Sequence, residues 1–132
     1  MMNMKIEHIA IWVDNIELMR EFYLTYFAVA SSEKYYNPNK NYTSYFLSFG
    51  EDKTRIELML RPDIAEIIGK RGFTEGFAHL AIFVESKTAV NELTERLRAD
   101  NYTIESEPRT TGDGYYESVV LDPEGNRIEI TV

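Results

Sequence analysis

The chain has 132 residues, no cysteine, and a formal net charge of −8 from 22 acidic and 14 basic side chains. That length predicts one domain, the lack of cysteine excludes disulfides, thiolate ligands and a cysteine nucleophile, and the negative charge without a basic stripe speaks against nucleic acid. Apolar residues make up 44% of the chain, yet no run is long enough for a membrane span or a secretory signal, so a cytoplasmic location is expected.

Residues 5–13 alternate as a strand, and Asp14 then offers an N-cap with Glu17 three positions on, a capping-box spacing. Ile16, Met19, Tyr23 and Tyr26 or Phe27 follow at helical period, which predicts a helix to about residue 27. The polar stretch 31–41, with Asn37-Pro38-Asn39, reads as a loop. Residues 42–49 and 54–60 read as strands joined around Gly50-Glu51-Asp52. Between 62 and 76 a short helix capped by Asp63 with Glu66 is expected, then a glycine-punctuated loop. The plan then repeats: a strand over 77–84, a helix capped by Ser86 with Val90, Leu93 and Leu97 on one face, and strands over 102–106, 116–121 and 127–132. Asp122-Pro123-Glu124-Gly125-Asn126 is a strong tight-turn signal before the last strand.

The repetition extends to individual residues. His8-Ile9-Ala10-Ile11-Trp12-Val13 recurs as His79-Leu80-Ala81-Ile82-Phe83-Val84, and Arg55-Ile56-Glu57-Leu58 as Arg127-Ile128-Glu129-Ile130. Tandem βαβββ modules therefore occupy about 4–61 and 77–132, with a connecting segment at 62–76. Each half alone would bury a marginal core, so the modules are expected to pack together or against another chain. The fold class is α+β: a curved mixed sheet with helices on its convex face.

Strand parity places the repeated residues. Side chains on a strand alternate between faces, so Ile9, Ile11, Ile56, Leu58 and their counterparts Leu80, Ile82, Ile128 and Ile130 face the helices. His8, Glu57, His79 and Glu129 fall on the opposite face with Ala10, Trp12, Met59, Ala81 and Phe83, a wall of the make-up usual for ligand sites. A carboxylate buried there needs a partner, which Arg55, Arg127 or a divalent cation can supply. The two histidines are the only ones in the chain. Two imidazoles and two carboxylates neutralise a divalent ion and suit Zn²⁺, Ni²⁺, Co²⁺, Mn²⁺ or Fe²⁺. Structural zinc more often uses thiolates and closes its coordination, so this ligand set points to catalysis. The tyrosines of Tyr35-Tyr36 and Tyr115-Tyr116 read as packing residues.

With its two modules, its early His and late Glu in each, and the run Leu121-Asp122-Pro123-Glu124-Gly125-Asn126-Arg127-Ile128-Glu129-Ile130, the chain resembles the vicinal oxygen chelate superfamily, that of glyoxalases, bleomycin-resistance proteins and dioxygenases. The resemblance covers essentially the whole chain. The His-Glu-His-Glu set is similar to that of bacterial glyoxalase I, a lactoylglutathione lyase. It implies His8, Glu57, His79 and Glu129 as ligands of one divalent ion, Zn²⁺ or Ni²⁺ foremost. Glu129 is implied as the proton shuttle, with Glu57 as the second catalytic carboxylate. The implied reaction is lyase or isomerase chemistry on a small carbonyl or thiol-conjugate substrate through a metal-stabilised enediolate. Glutathione-using relatives carry Arg four residues after the first ligand and Asn four residues after the Glu ligand. Trp12 and Arg61 stand there in this chain, so the resemblance does not extend to the thiol-binding positions. Trp12, Arg61, Phe83 and Arg109 are the candidate substrate-binding residues, with Arg61 and Arg109 suited to an anionic group. The family also implies a homodimer whose cup is completed by modules from two chains, with neither nucleic acid nor membrane as partner. Other members open alternatives: a ring-cleaving dioxygenase or fosfomycin-type thiol transferase using His8, His79 and Glu129, a coenzyme A-ester epimerase, or a metal-free drug-sequestering dimer.

Overall fold

The computed structural model describes residues 2–51 and 54–132. These divide into two compact units, residues 1–66 and 67–132. In the first, β1 (His8–Trp12) leads to α1 (Ile16–Tyr26), β2 (Val29–Ser31), β3 (Tyr35–Asn37), β4 (Tyr42–Phe49) and β5 (Arg55–Leu60). The sheet order is β1-β5-β4-β2, with β3 also on β4. Only the β1–β5 pairing is parallel, because α1 carries the chain across from the first strand before the remaining strands turn back on one another. The register sets Ala10 beside Glu57 and Glu57 beside Phe46.

Ile16, Met19, Phe22 and Tyr23 are the buried stripe of α1, and they meet Leu47, Ile56 and Leu58 from the sheet in a core with almost no solvent exposure. The N-cap is Asn15, not Asp14: its side chain accepts from Leu18 N at 3.1 Å. The capping-box reading fails because Glu17 is otherwise engaged, accepting from Tyr45 Oη at 2.7 Å and pairing with Lys34 at 2.9 Å. The stretch 31–41 is also more ordered than its polarity predicts. Tyr35–Asn37 pairs with Tyr42–Ser44 as a short strand, and the chain reverses at Asn41, whose φ is +49°. Of the expected Gly50-Glu51-Asp52 turn, Asp52 lies outside the described residues.

The second unit repeats the plan with β6 (Leu80–Phe83), α2 (Lys87–Ala99), β7 (Ile104–Thr110), β8 (Tyr116–Leu121) and β9 (Arg127–Thr131), in the order β6-β9-β8-β7. Ser86 caps α2 as expected, accepting from Ala89 N at 3.0 Å, and Arg96 and Arg98 sit in its last turn, where cations suit the helix dipole. Val90 and Leu97 are fully buried with Val120, Ile128 and Ile130. Leu93 is half-buried, and Thr94 takes the remaining core position by donating to Val90 O and meeting Ser118 Oγ at 2.8 Å. β7 runs farther than residue 106 because it is the edge strand: two register shifts and Pro108 are tolerated where one side carries no ladder.

No helix forms over 62–76. Asp63 cannot cap one, because Arg61 claims both its carboxylate oxygens at 2.9 and 2.6 Å. Gly72 has φ +87°, and a Cβ there would stand 2.5 Å from Ala78 O and 2.6 Å from Arg127 Cδ, so only glycine lets the connecting segment lie against β9. Among the described residues no helix is long and apolar enough to cross a membrane.

Candidate metal centre and substrate wall

Parity on β1 and β5 places His8 and Glu57 together, with His8 Nε2 3.5 Å from Glu57 Oε1. Glu57 is 13% exposed, so its charge needs partners. One is Tyr42, whose hydroxyl donates to Glu57 Oε2 at 2.9 Å. Burial, then the Glu57 hydrogen bond, push the Tyr42 phenol above its ordinary value, so it remains a donor across the neutral range. Arg55 is not the partner expected for Glu57: it pairs with Glu7 and lies over the Phe46 ring, 4.0 Å from its centroid. Phe46 also meets the His8 ring edge-on at 5.3 Å. Trp12 and Arg61 share the wall, with the guanidinium 5.5 Å from the indole centroid.

In the second unit His79 Nε2 lies 3.1 Å from Glu129 Oε1. Arg127 serves Glu105 at 2.7 Å and not Glu129, because it leans toward β7 across the sheet. The residue that meets Glu129 is Glu117, which shares its face on β8. Burial, then the hydrogen bond and charge of Glu129, raise the Glu117 carboxyl, and Asp113 adds to this while Arg109 opposes it. Arg109 pairs in register with Glu117, and Phe83 stands exposed beside Thr131.

The donor chemistry fits a divalent ion. Two ligand atoms about 2.1 Å from one cation lie about 3.0 Å apart at a right angle and about 3.4 Å apart at the tetrahedral angle. The pairs at 3.1 and 3.5 Å match these spacings. Each unit holds one His–Glu pair, and among the described residues no group of three or more His, Asp or Glu is arranged to hold an ion.

Residues 5–130 match the family model of the Glyoxalase/Bleomycin resistance protein/Dioxygenase superfamily. The chain belongs to this superfamily. Its fold is similar to that of the trypanothione-dependent glyoxalase I of Leishmania major, with a TM-score of 0.76 and 25% identity over 97% of this chain and 86% of that one. Glyoxalase I from Zea mays gives a TM-score of 0.77 at 24% identity, a likeness of fold covering 96% of this chain and 44% of the maize chain. The chain thus spans less than half the length of the maize protein. YqjT, an uncharacterized protein of Bacillus subtilis, is 36% identical over 58 residues, which are 42% of this chain and 45% of YqjT.

Glyoxalase-superfamily motifs point to the His and Glu positions but not to Tyr42 or Glu117. The signal for both was parity on the middle strands: Tyr42 shares a face with Ser44 and Phe46, and Glu117 with Val119, whose register partner is Glu129. Glu117 carries a pH-dependent consequence. A raised carboxyl stabilises the fold below its unfolded value, and that contribution is lost as pH rises through the folded value. At neutral pH two neighbouring carboxylates then repel, so Glu117→Gln is expected to raise the Tm of EDTA-treated protein at pH 7 by about 2 °C or more. Melts repeated near pH 4 should show no gain, and an equal gain at both pH values would count against the carboxylate pair.

Proposed function

We propose that this protein is a divalent-metal-dependent lyase or isomerase of the glyoxalase I type, acting on a small carbonyl or thiol-conjugate substrate. The observation that supports it best is the duplicated His–Glu pair, one per module, at 3.5 and 3.1 Å. His8, Glu57, His79 and Glu129 together are the ligand set, and the whole chain works as one functional domain. Zn²⁺ or Ni²⁺ is the preferred ion. Once bound, the ion supplies Lewis acidity toward the oxygens of a carbonyl substrate.

The protein's own groups do the rest. Glu129 takes the proton from the carbon beside the carbonyl and returns it to the neighbouring carbon, so the reaction is an isomerisation needing no oxidant. Glu57 has one oxygen engaged by Tyr42, which suits it to a fixed ligand role. Trp12, Phe83, Arg61 and Arg109 line the walls that receive the substrate, in cytoplasmic protein. A homodimer is the working form, and exposed Ile68, Phe77 and Phe83 support a second copy as the cover for apolar surface.

The test is metal content and turnover measured side by side. Native protein should carry about one divalent ion per site by elemental analysis and should isomerise hemithioacetals from a panel of thiols. His79→Ala should lower metal affinity by about 10-fold or more. Metal-free native protein that still binds small molecules would refute the lyase reading. Full metal retention in Glu57→Gln would remove Glu57 from the ligand set.

A further inference from the structure

The first unit holds a cleft of about 350 Å³ lined by Lys40, Asn41, Arg61, Pro62 and Asp63. It lies where the β3–β4 turn meets the end of β5, and it continues into the wall described above through Arg61. From Arg61 an aromatic row runs inward. The guanidinium is 5.5 Å from the Trp12 centroid, Trp12 meets Tyr42 edge-on at 6.3 Å, and Tyr42 meets Tyr35 at 6.1 Å. The hydroxyl of Tyr42 ends this row on Glu57 Oε2. Trp12 is 37% exposed and Tyr35 54%, so part of each side chain remains accessible to a ligand.

Charge at the cleft runs against the rest of the molecule. The chain carries −8 overall, whereas the cleft lining holds two cations and one carboxylate. Asp63 engages Nε and Nη2 of Arg61, which leaves further guanidinium N–H donors free of that carboxylate. The Arg61–Asp63 pair is exposed, and pairs of that kind contribute little, so an incoming anion competes with it on near-equal terms. Lys40 adds an exposed ammonium on the turn.

We infer that this shelf selects a planar, aromatic carbonyl compound that carries a carboxylate, the ring against Trp12, Tyr42 and Tyr35 and the carboxylate at Lys40 and Arg61. The inference deepens the proposed function by naming a substrate class, and it rests on that function only in treating the open face as the substrate wall. Stacking on aromatic faces and charge recognition act whether or not a metal is bound. An aliphatic carboxylate would meet the cationic half of the shelf but leave the aromatic half unfilled.

Trp12 is the only tryptophan, so its fluorescence reports on the shelf directly. Full-length protein in EDTA is titrated with benzoylformate, with acetophenone as the ring without the charge and pyruvate as the charge without the ring. Benzoylformate should quench Trp12 with a Kd at least 10-fold below those of the other two. Lys40→Glu and Arg61→Met should each weaken it about 10-fold or more while moving the Tm little, since Lys40 is exposed and Arg61 pairs with an exposed carboxylate. Equal affinity for all three probes, no quenching, or affinity unmoved in both variants overturns the shelf. Failure here with metal and hemithioacetal turnover intact leaves the lyase reading standing. Quenching as expected in a protein without metal or turnover sinks the lyase reading and keeps the shelf.

Discussion

Replacing Glu129 with Gln is expected to lower kcat by about 10³-fold, within the range for loss of a general base, while KM changes by less than about threefold. Under the proposed lyase reading, the environments of the two carboxylates favour Glu129 as the one that moves the proton. Glu57 is held at Oε2 by the phenol of Tyr42, a donor that keeps its proton throughout the neutral range and fixes the orientation of the carboxylate. Glu129 has a second carboxyl, Glu117, as its neighbour, and that neighbour is itself raised by burial and by Glu129. Gln keeps an oxygen able to face His79 but cannot take up a proton. Loss of kcat with metal content largely retained would therefore mark proton transfer. Glu57→Gln should instead show its main loss in metal affinity. If Glu129→Gln keeps more than about a tenth of native kcat at full metal loading, the proton is moved by another group.

The fold was legible in the sequence because duplication and parity reinforced each other. Identical patterns at His8 and His79 and at Glu57 and Glu129 fixed the module plan, and alternation on four strands put all four residues on the face away from the helices. What escaped was local competition for polar groups. Asp14 and Asn15 are both good caps, and only the packing of Glu17 against Tyr45 and Lys34 removes the capping box that favoured Asp14. Asp63 has the right type and spacing to start a helix, but a guanidinium two residues away binds it first. At the candidate site, Arg55 and Arg127 stood two residues from Glu57 and Glu129 and so looked like their partners. Adjacent same-face residues point toward different neighbours, and the arginines reach Glu7 and Glu105. The true neighbours of the carboxylates, Tyr42 and Glu117, lie on β4 and β8, at sequence separations that only the strand register reveals.

The largest stability effect is expected at Asp122, the residue that turns β8 into β9. Asp122 is 4% exposed, and its Oδ1 accepts from the backbone N–H groups of Glu124 and Asn126 at 2.9 Å each, while Oδ2 accepts from Asn126 Nδ2 at 2.8 Å. Gly125, at φ +86°, completes the reversal by donating to Asp122 O at 3.0 Å. Asp122→Ala leaves three N–H donors without their acceptor in a largely buried turn, and each hydrogen bond to a charged group contributes about 1.5–3 kcal/mol, less than additively. A loss of about 3 kcal/mol follows, large against the stability of a small domain. Urea unfolding should show it as a lower midpoint at unchanged m-value. Asp122→Asn keeps an acceptor at Oδ1 but sets an amide against Asn126 Nδ2, so it should cost about half as much. A loss below about 1 kcal/mol for Asp122→Ala would mean that water replaces the carboxylate in the turn. The same turn sets the β8–β9 register that places Val119 beside Glu129, and Glu129 beside Ala81 on β6. Partial rescue by Asn should therefore restore metal affinity in step with the urea midpoint, because the carboxylate that faces His79 is aimed by the turn three residues before it.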